Sequence, residues 1–300
     1  DNIEIGGASE SSTHIIFDDN GIGTQHILLD APTGDLRNVT FRNLTIRGKA
    51  NSDVDGAWDL INYKRNIFNL RIINCTFSNA IHSCLLQSAT TSLGQDVLID
   101  GCTFDKNCGG GSDWTGVLPN GGAAIQGQYS GQVVQNCVFR NNGGTNQNFH
   151  AVYFDQSITT SGVRYVANWH APGDGSATIN DFVMRSGTTN GLVVANNQFG
   201  PECRLVQLGN QNGVVVTGNV FHGGTYLEFQ TVTGALVAGN HFYDGYVTNS
   251  SGTATQVRVV GNFFQNAALT NSLNLGSTAA TRWTIAENDF ITGNARAMIL

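Results

Sequence analysis

The sequence carries little charge, few prolines and no long hydrophobic run. Charged residues make up 12% of its 300 residues, and only four residues are proline. Lysine and arginine together number 15 against 22 acidic residues, which gives a formal net charge of −7. With so few basic residues, no basic patch is available that would release counterions on binding. Neither a nucleic acid nor an anionic membrane is therefore expected as a partner. No apolar stretch reaches the length of about 18 residues that a transmembrane helix needs, so we expect no membrane insertion.

Targeting segments, linkers and paired cysteine motifs are also lacking. The sequence has no initiator methionine, no charged and then apolar leader, and no low-complexity linker. We therefore expect residues 1–300 to be a mature or excised segment that forms a single domain. The six cysteines include no C-x-x-C pair. This argues against zinc and redox sites, and we expect no metal site.

What the sequence does contain is one eight-residue pattern that occurs ten times. An aliphatic residue usually takes its first and third places, a small or turn-forming residue the fifth, Asn or Cys the sixth, and Phe the eighth. The copies lie at 39–46, 70–77, 97–104, 132–139, 163–170, 192–199, 214–221, 235–242, 257–264 and 283–290. Their eighth places recur at intervals from 21 residues (221 to 242) to 35 residues (104 to 139). Such alternation without helical patterns predicts an all-β solenoid of about ten coils, with longer loops in the N-terminal and middle coils.

The sixth and eighth places predict how the coils stack. In a parallel stack with coils about 4.8 Å apart, amides donate to one coil and accept from the other, and Asn also tolerates the left-handed backbone of a tight corner. The Phe residues of the eighth place are expected to form a matching ring stack in the core. The cysteines are then small buried hydrophobic residues rather than disulfide partners. The sixth place holds Cys75, Cys102, Cys137, Asn168, Asn197, Asn219, Asn240, Asn262 and Asn288.

A second strand follows each Phe, and its alternation predicts a polar outer face. In 150–156, Val152 and Phe154 point inward, which leaves Tyr153 and Asp155 outside. Sugar hydroxyls require donors and acceptors at regular intervals, so a polar column on this face is expected to bind a polysaccharide. Aligning the coils on their last inward apolar residue gives Asn62, Gln87, Gln126, Asp155, a residue between Val183 and Arg185, Gln207 and Glu228. Of these, we expect Gln87, Gln126, Arg185, Gln207 and Glu228 to contact the substrate.

The long coils between positions 104 and 199 are expected to hold the chemistry, because loops on a rigid scaffold often carry function. Glycoside hydrolysis needs two carboxylates, and Asp155 with either Asp181 or Asp113 is the candidate pair. Trp114, beside Asp113, is expected to stack on a sugar ring. If Phe154 and Phe182 are equivalent, Asp181 lies about 8 Å from Asp155, which suits inversion. If Phe154 instead matches Met184, the separation is about 14 Å, and Arg185 becomes an ion-pair partner of Asp155.

β-Elimination on a uronate polymer is the competing chemistry. It needs a base near the C5 proton of the sugar, an acid for the leaving oxygen, and a cation or Arg to neutralise the carboxylate. Tyr153, His150, His170 and either Arg164 or Arg185 are the candidates, although a His that replaces the Phe of the repeat fits a buried structural role equally well. Hydrolysis is expected to need no cofactor. Elimination with so few basic residues would call for bound calcium.

The repeated coils, such as LVVANNQF (192–199) and VVVTGNVF (214–221), resemble the right-handed parallel β-helix of the pectate-lyase-like superfamily over nearly the whole chain. That superfamily contains pectate and alginate lyases, polygalacturonases, C5-epimerases and the trimeric tailspike depolymerases of bacteriophages. The sequence lacks the RIK tripeptide and the NTD motif of polygalacturonases, the RxPxxR motif of pectate lyases and a DPHE-like epimerase motif. Its low charge and its richness in Gly, Asn and Thr resemble the tailspikes.

The resemblance implies an extracellular polysaccharide-cleaving enzyme, secreted or on the virion surface. An endo-glycosidase of tailspike type that assembles as a homotrimer is the main hypothesis, and a polysaccharide lyase is its enzymatic alternative. A hypothesis of another class is a non-catalytic adhesin or fibre that binds glycans through the same polar column. Fold alone does not decide between these functions.

Overall fold

The chain winds into a coil of parallel strands. The computed structural model describes residues 2–17, 27–29, 34–48, 59–63, 66–80, 82–87, 94–107, 122–127, 129–142, 149–154, 158–171, 181–184, 188–201, 203, 205–249, 252–266, 271–275, 281–292 and 296–299. In this part of the chain every strand pair is parallel and no helix occurs, so nothing there is a helix long and apolar enough to cross a membrane. The chain visits three sheets in turn, named A, B and C below. The fold is a right-handed parallel β-helix, as the sequence predicts.

The strands of the three sheets have the following bounds. Sheet A contains Ile3–Gly6, Leu36–Arg42, Ile67–Ile73, Leu98–Asp100, Val133–Gln135, Thr160–Ser161, Arg164–Val166, Thr189–Asn190, Val193–Ala195, Gln211–Thr217, Val232–Ala238, Ala254–Thr255, Arg258–Val260 and Thr284–Ala286. Sheet B contains His14–Phe17, Thr45–Gly48, Thr76–Ser78, Thr103–Asp105, Val138–Arg140, Trp169–His170, Gln198–Phe199, Val220–Phe221, His241–Tyr243, Phe263–Asn266 and Asp289–Thr292. Sheet C contains Ile27–Leu29, Asp59–Tyr63, Ser83–Gln87, Gly122–Gln126, Phe149–Phe154, Asp181–Met184, Leu205–Leu208, Tyr226–Phe229, Tyr246–Asn249, Asn271–Asn274 and Arg296–Ile299.

A left-handed residue forms the corner between sheets A and B in every copy of the repeat. It is the fifth place of the pattern, and its φ lies between 50° at Asn74 and 65° at Gly218. The sequence-based assignment of this backbone to the sixth-place Asn was therefore wrong by one residue. The sixth-place side chain points into the core, so the turn falls on the residue before it. The corner residues are Asn43, Asn74, Gly101, Asn136, Ala167, Asn196, Gly218, Gly239, Gly261 and Glu287.

The sixth-place Asn residues form a buried hydrogen-bond ladder, as predicted. The Nδ2 of Asn219 donates to Oδ1 of Asn240 and to the carbonyl of Val194, both at 2.9 Å. Its own Oδ1 accepts from the backbone N–H and from Nδ2 of Asn197, again at 2.9 Å. The side chain is fully buried, so these bonds satisfy groups that would otherwise be costly. The same pattern links Asn168 to Asn197 and continues through Asn240 and Asn262 to Asn288.

In the earlier coils cysteine thiols replace these amides. The Sγ of Cys102 lies 3.5 Å from the carbonyl oxygen of Ile72, and the Sγ of Cys137 lies 3.7 Å from that of Ile99. These carbonyls belong to the third place of the preceding copy, which is the acceptor that the Asn ladder also uses. Burial raises the pKa of the Cys102 thiol, so it stays protonated and able to donate. Among the described cysteines none forms a disulfide, in agreement with the sequence-based prediction.

The eighth-place rings form one continuous stack beside the ladder. Neighbouring Phe rings lie 4.5 Å apart at Phe221 and Phe242, and 5.2 Å apart at Phe77 and Phe104. His170 takes the place of a Phe in this stack, with its ring 5.0 Å from that of Phe139. Its Nε2 is bonded to the hydroxyl of Tyr165 at 2.6 Å, and burial lowers its pKa to about 3. His170 is therefore a neutral core residue rather than a catalytic one.

Candidate functional site

The outer face of sheet C carries a column of side chains whose order follows from the strand register. The inward residues on either side of this column, such as Ile61, Val152 and Leu227, belong to the hydrophobic core. Asn62, Gln126, Gln207 and Glu228 share the column, as predicted. In chain order the column reads Asn62, Leu86, Gln126, Tyr153, Val183, Gln207, Glu228, Thr248 and Asn274.

Gln87 does not occupy the place predicted for it, and Tyr153 occupies the place predicted for Asp155. Gln87 pairs with Tyr63 in the neighbouring inward column and is buried. In the next coil the inward place is Gly127, where an added Cβ would lie 2.3 Å from the Cβ of Gln87. The side chain of Gln87 thus takes up the space that a larger residue at position 127 would need. Because Gly127 has no apolar side chain, the sequence-based alignment on the last inward apolar residue was wrong at this place. Tyr153 pairs with Gln126.

The register between the strands Phe149–Phe154 and Asp181–Met184 also decides where Asp181 lies. Phe154 pairs with Met184, and Asp181 pairs with His150, with a bulge between His150 and Val152. This is the second of the two registers that the sequence allowed, in which Phe154 matches Met184. The alternative register, in which Phe154 is equivalent to Phe182, does not occur. Asp155, Asp113, Trp114 and Arg185 lie outside the described residues.

His150 and Tyr153 lie side by side on the outer face. Their rings are stacked, with centroids 4.7 Å apart and planes 9° apart. The bulge between them places two successive inward residues, Ala151 and Val152, in the core, so residues three positions apart emerge on the same side. Both rings are half-buried. An imidazole and a phenol in contact are a pair that can take up and release protons in one reaction.

Gln126 lies directly beside Tyr153 on the adjacent strand, and a series of hydrogen bonds holds its amide. Its Oε1 accepts from the hydroxyl of Ser83 at 3.1 Å, and that hydroxyl accepts from the backbone N–H of Ala123 at 3.3 Å. The Ser83 oxygen also lies 3.3 Å from Nδ1 of His82, which is bonded to Oδ1 of Asp59 at 2.9 Å. Asp59 and Ser83 are buried. Polar contacts thus connect side chains of three successive strands, from Asp59 to Gln126. Gln126 in turn lies beside Tyr153.

Gln207 and Glu228 lie farther along the column and bond to each other. The Nε2 of Gln207 donates to Oε2 of Glu228 at 2.8 Å, and both side chains are 7% exposed. They point away from the core, as predicted, yet they expose little surface. Their role as substrate contacts stays a prediction.

The other residues considered for elimination lie elsewhere. His170 is within the Phe stack, and Arg164 is exposed on sheet A, where it pairs with Val133 and Val193. Of that group, His150 and Tyr153 alone are brought together among the described residues. In the same part of the chain no three His, Cys, Asp or Glu side chains are grouped so as to hold a metal ion.

Comparison with solved structures agrees with this geometry at the level of the fold. The chain shares its fold with mannuronan C-5 epimerases. The A-module of epimerase AlgE4 from Azotobacter vinelandii aligns over 99% of this chain and 81% of its own, with 15% identity and a TM-score of 0.54. The A-module of AlgE6 from the same organism aligns over 100% and 84%, with 14% identity and a TM-score of 0.52. Tailspike protein 3 of bacteriophage CBA120 aligns over 98% of this chain and 51% of its own, with 12% identity and a TM-score of 0.42.

No family model matches the sequence, and no curated protein sequence matches it. The similarity to solved structures therefore establishes the parallel β-helix and leaves the chemistry to the residues of the site.

Sequence reasoning missed the series formed by Asp59, His82 and Ser83. The one available signal is that His82 and Ser83 immediately precede the apolar residues of a strand, as Asp59 does in the coil before. Residues at the start of successive strands in a parallel stack lie one above the other.

Proposed function

We propose that the protein is a polysaccharide lyase that cleaves a uronate polymer by β-elimination on the outer face of sheet C. The observation that carries this proposal is the stacked pair of His150 and Tyr153 beside the oriented amide of Gln126. The elimination that the sequence placed second draws on His150 and Tyr153, which are described and lie in contact. A polymer substrate of this kind is extracellular, so we further propose that the protein acts outside the cell.

The reaction requires one proton to leave the sugar and another to reach the leaving group. A base removes the proton from C5. The electron pair of the C5–H bond then forms the C4=C5 double bond, and the C4–O bond breaks. The departing oxygen then takes a proton from an acid. His150 and Tyr153 are adjacent and on one side of the sugar-binding face, so the pair can serve both steps as a syn elimination. With both proton transfers assigned to this pair, the reaction requires no further acid or base on the opposite side of the sugar.

The negative charge that develops on the uronate must also be stabilised. Fixed donors aimed at that charge lower the barrier, because they need no reorganisation during the reaction. The amide of Gln126 lies one strand from Tyr153, about 4.8 Å away along the stack. We assign to it the contact with the substrate carboxylate. Bound calcium for the same purpose stays a prediction of the sequence.

Hydrolysis would need a pair of carboxylates within about 10 Å of each other. On this face the described acidic side chains are Asp59 and Glu228, which are six strands apart, about 29 Å. They cannot act on one glycosidic bond. A hydrolase on this face would therefore have to use a carboxylate outside the described side chains, such as Asp155, Asp181 or Asp113.

The test is a panel of polyuronates assayed both for reducing ends and for the ultraviolet absorbance of the unsaturated product. We expect both signals from the wild type. Tyr153→Phe and His150→Gln should each lower turnover by a factor of about a hundred or more, with the melting temperature retained. Tyr226→Phe is the matched control, because Tyr226 lies on the same sheet and stacks on Tyr246 at 4.8 Å, away from the pair.

Two results would contradict elimination. Reducing ends without the ultraviolet signal would indicate hydrolysis, and full activity of Tyr153→Phe would remove the pair from the mechanism. Binding to the polymers with no cleavage of any of them would favour the adhesin or fibre.

A further inference from the structure

The hydrogen bonds between Asp59 and Gln126 determine which end of the Gln126 amide faces the site. Asp59, as a carboxylate, can only accept, so the hydrogen in its 2.9 Å bond to His82 belongs to Nδ1. That nitrogen therefore cannot accept a hydrogen from the hydroxyl of Ser83, which lies 3.3 Å away. The Ser83 oxygen already accepts from the backbone N–H of Ala123. Among the described residues, the acceptor that remains within reach of its hydrogen is Oε1 of Gln126, at 3.1 Å.

The direction of these hydrogen bonds fixes the orientation of the Gln126 amide. With its oxygen held by Ser83, the Gln126 amide has its Nε2, which carries two hydrogens, left to donate beside Tyr153, where the side chain is half-buried. A site lined by N–H donors favours a substrate group that only accepts, and a carboxylate is such a group. A neutral sugar, with its carboxyl group reduced to an alcohol, provides a weaker acceptor at the same place.

We propose that Asp59, His82 and Ser83 are positioning residues that make the site selective for uronate over neutral sugars, by holding the Gln126 amide with its N–H groups toward the substrate. The proposal rests on the proposed function to the extent that this face binds a polysaccharide. It adds the specificity of the site and names residues that touch no substrate. All three belong to strands or strand starts of coils that precede the catalytic pair, and Asp59 and Ser83 are buried.

Replacing Asp59 should remove the constraint on which atoms donate and which accept in these hydrogen bonds. In Asp59→Asn the side chain can donate to Nδ1 of His82, so His82 can carry its hydrogen on Nε2 instead. The single lone pair of Nδ1 can then accept either from the new amide or from the hydroxyl of Ser83. When it accepts from Ser83, the amide of Gln126 is free to turn its oxygen outward. Ser83→Ala removes the link directly. Ser83→Thr keeps the hydroxyl and the β-strand preference, and it is the conservative variant that should restore selectivity.

The experiment measures binding rather than turnover, on a Tyr153→Phe background so that the polymer is not cleaved. The probes are mannuronan and polygalacturonate, each compared with its carboxyl-reduced neutral form. We expect the reference protein to prefer the charged polymer, and Asp59→Asn and Ser83→Ala to lower that preference by about tenfold, the value of one hydrogen bond to a charged group. Ser83→Thr should keep the preference of the reference protein.

Each outcome is decisive. An unchanged ratio in folded Asp59→Asn and Ser83→Ala would overturn the inference, as would an equal loss of affinity for charged and neutral polymers. If one variant fails to fold, the other still decides. A reference protein that binds none of the polymers would refute the proposed function and this inference together. An unchanged ratio in a protein with lyase activity would refute the inference alone.

Discussion

Removing one amide from the buried Asn ladder should destabilise the protein more than any change on its surface. Asn219→Leu takes away the acceptor of two N–H groups of Asn197. One hydrogen of Asn197 Nδ2 keeps its 2.9 Å bond to the carbonyl of Tyr165, but the other hydrogen and the backbone N–H of Asn197 are left buried without this partner. The carbonyl of Val194 also loses the donor that Asn219 supplied.

An unsatisfied buried donor costs about 1–3 kcal/mol. The additional loss at Val194 places the expected decrease in the free energy of unfolding toward the upper end of that range. For a domain of 300 residues the melting temperature should fall by about 2–5 °C. Calorimetry and urea denaturation measure the two quantities independently.

A matched control is Asn212→Leu, the same substitution at an exposed position where the side chain bonds Asn190 at 3.2 Å. It should change the stability by less than about 0.5 kcal/mol. Asn219→Cys should fall between the two, because a thiol can donate to Val194, as Cys137 does to Ile99, but accepts poorly. Equal melting temperatures for Asn219→Leu and Asn212→Leu would show that the ladder contributes nothing measurable.

Three further predictions concern pH, the aspartate of the long coils and assembly. The pKa of His170 is lowered in the folded state, so only the unfolded chain takes up its proton between pH 6.5 and about 3, and stability should fall by up to about 5 kcal/mol as the pH drops through that window. The double variant His170→Phe, Tyr165→Phe should lose this part of the acid sensitivity in pH-dependent denaturation, and an unaltered profile would assign it to other groups. Asp155→Asn should lower turnover by about a hundredfold or more if hydrolysis operates and should leave it nearly unchanged if elimination operates, with Glu228→Gln as the control outside the long coils. A homotrimer remains the expectation from the tailspike resemblance, and light scattering that gives a stable monomer at high micromolar concentration would contradict it.

The coils could be predicted from the sequence because each place of the repeat has one physical task. Phe242 must stack on its neighbours, Asn240 must bond to the coils on both sides, and Gly239 must adopt a left-handed backbone. These tasks restrict the residue type, and the restriction recurs at every turn. The pattern is therefore legible without any knowledge of the sheets.

The register of sheet C could not be predicted in the same way, because its strands depart from strict alternation. Ala151 and Val152 are consecutive and both lie in the core, and Gly127 occupies an inward place without a side chain. Either departure shifts an alignment that depends on the last inward apolar residue. Leu86 adds to the error, since it is apolar and yet lies in the outward column.

The candidate site was predictable only in part for a related reason. Tyr153, His150 and Gln126 were found because they lie on strands of recognisable pattern. The bonds that orient Gln126 join Asp59 to His82 and Ser83 to Gln126, which are 23 and 43 residues apart. No local pattern connects such residues, and the length of the intervening loops hides which of them share a row.

The sameness of the ladder bonds makes a coil an exchangeable unit. Asn197 and Asn219 are 22 residues apart, Asn219 and Asn240 are 21 apart, and the amide bonds that join each pair have the same length of 2.9 Å. A deletion that brought Asn197 against Asn240 would offer the same donor and acceptor, and a duplication would insert one more rung. Gene-level gain or loss of such segments can therefore lengthen or shorten the surface of sheet C in steps of about 4.8 Å. The coils that carry His150 and Tyr153 would be unaffected while the length of the sheet C surface changes separately.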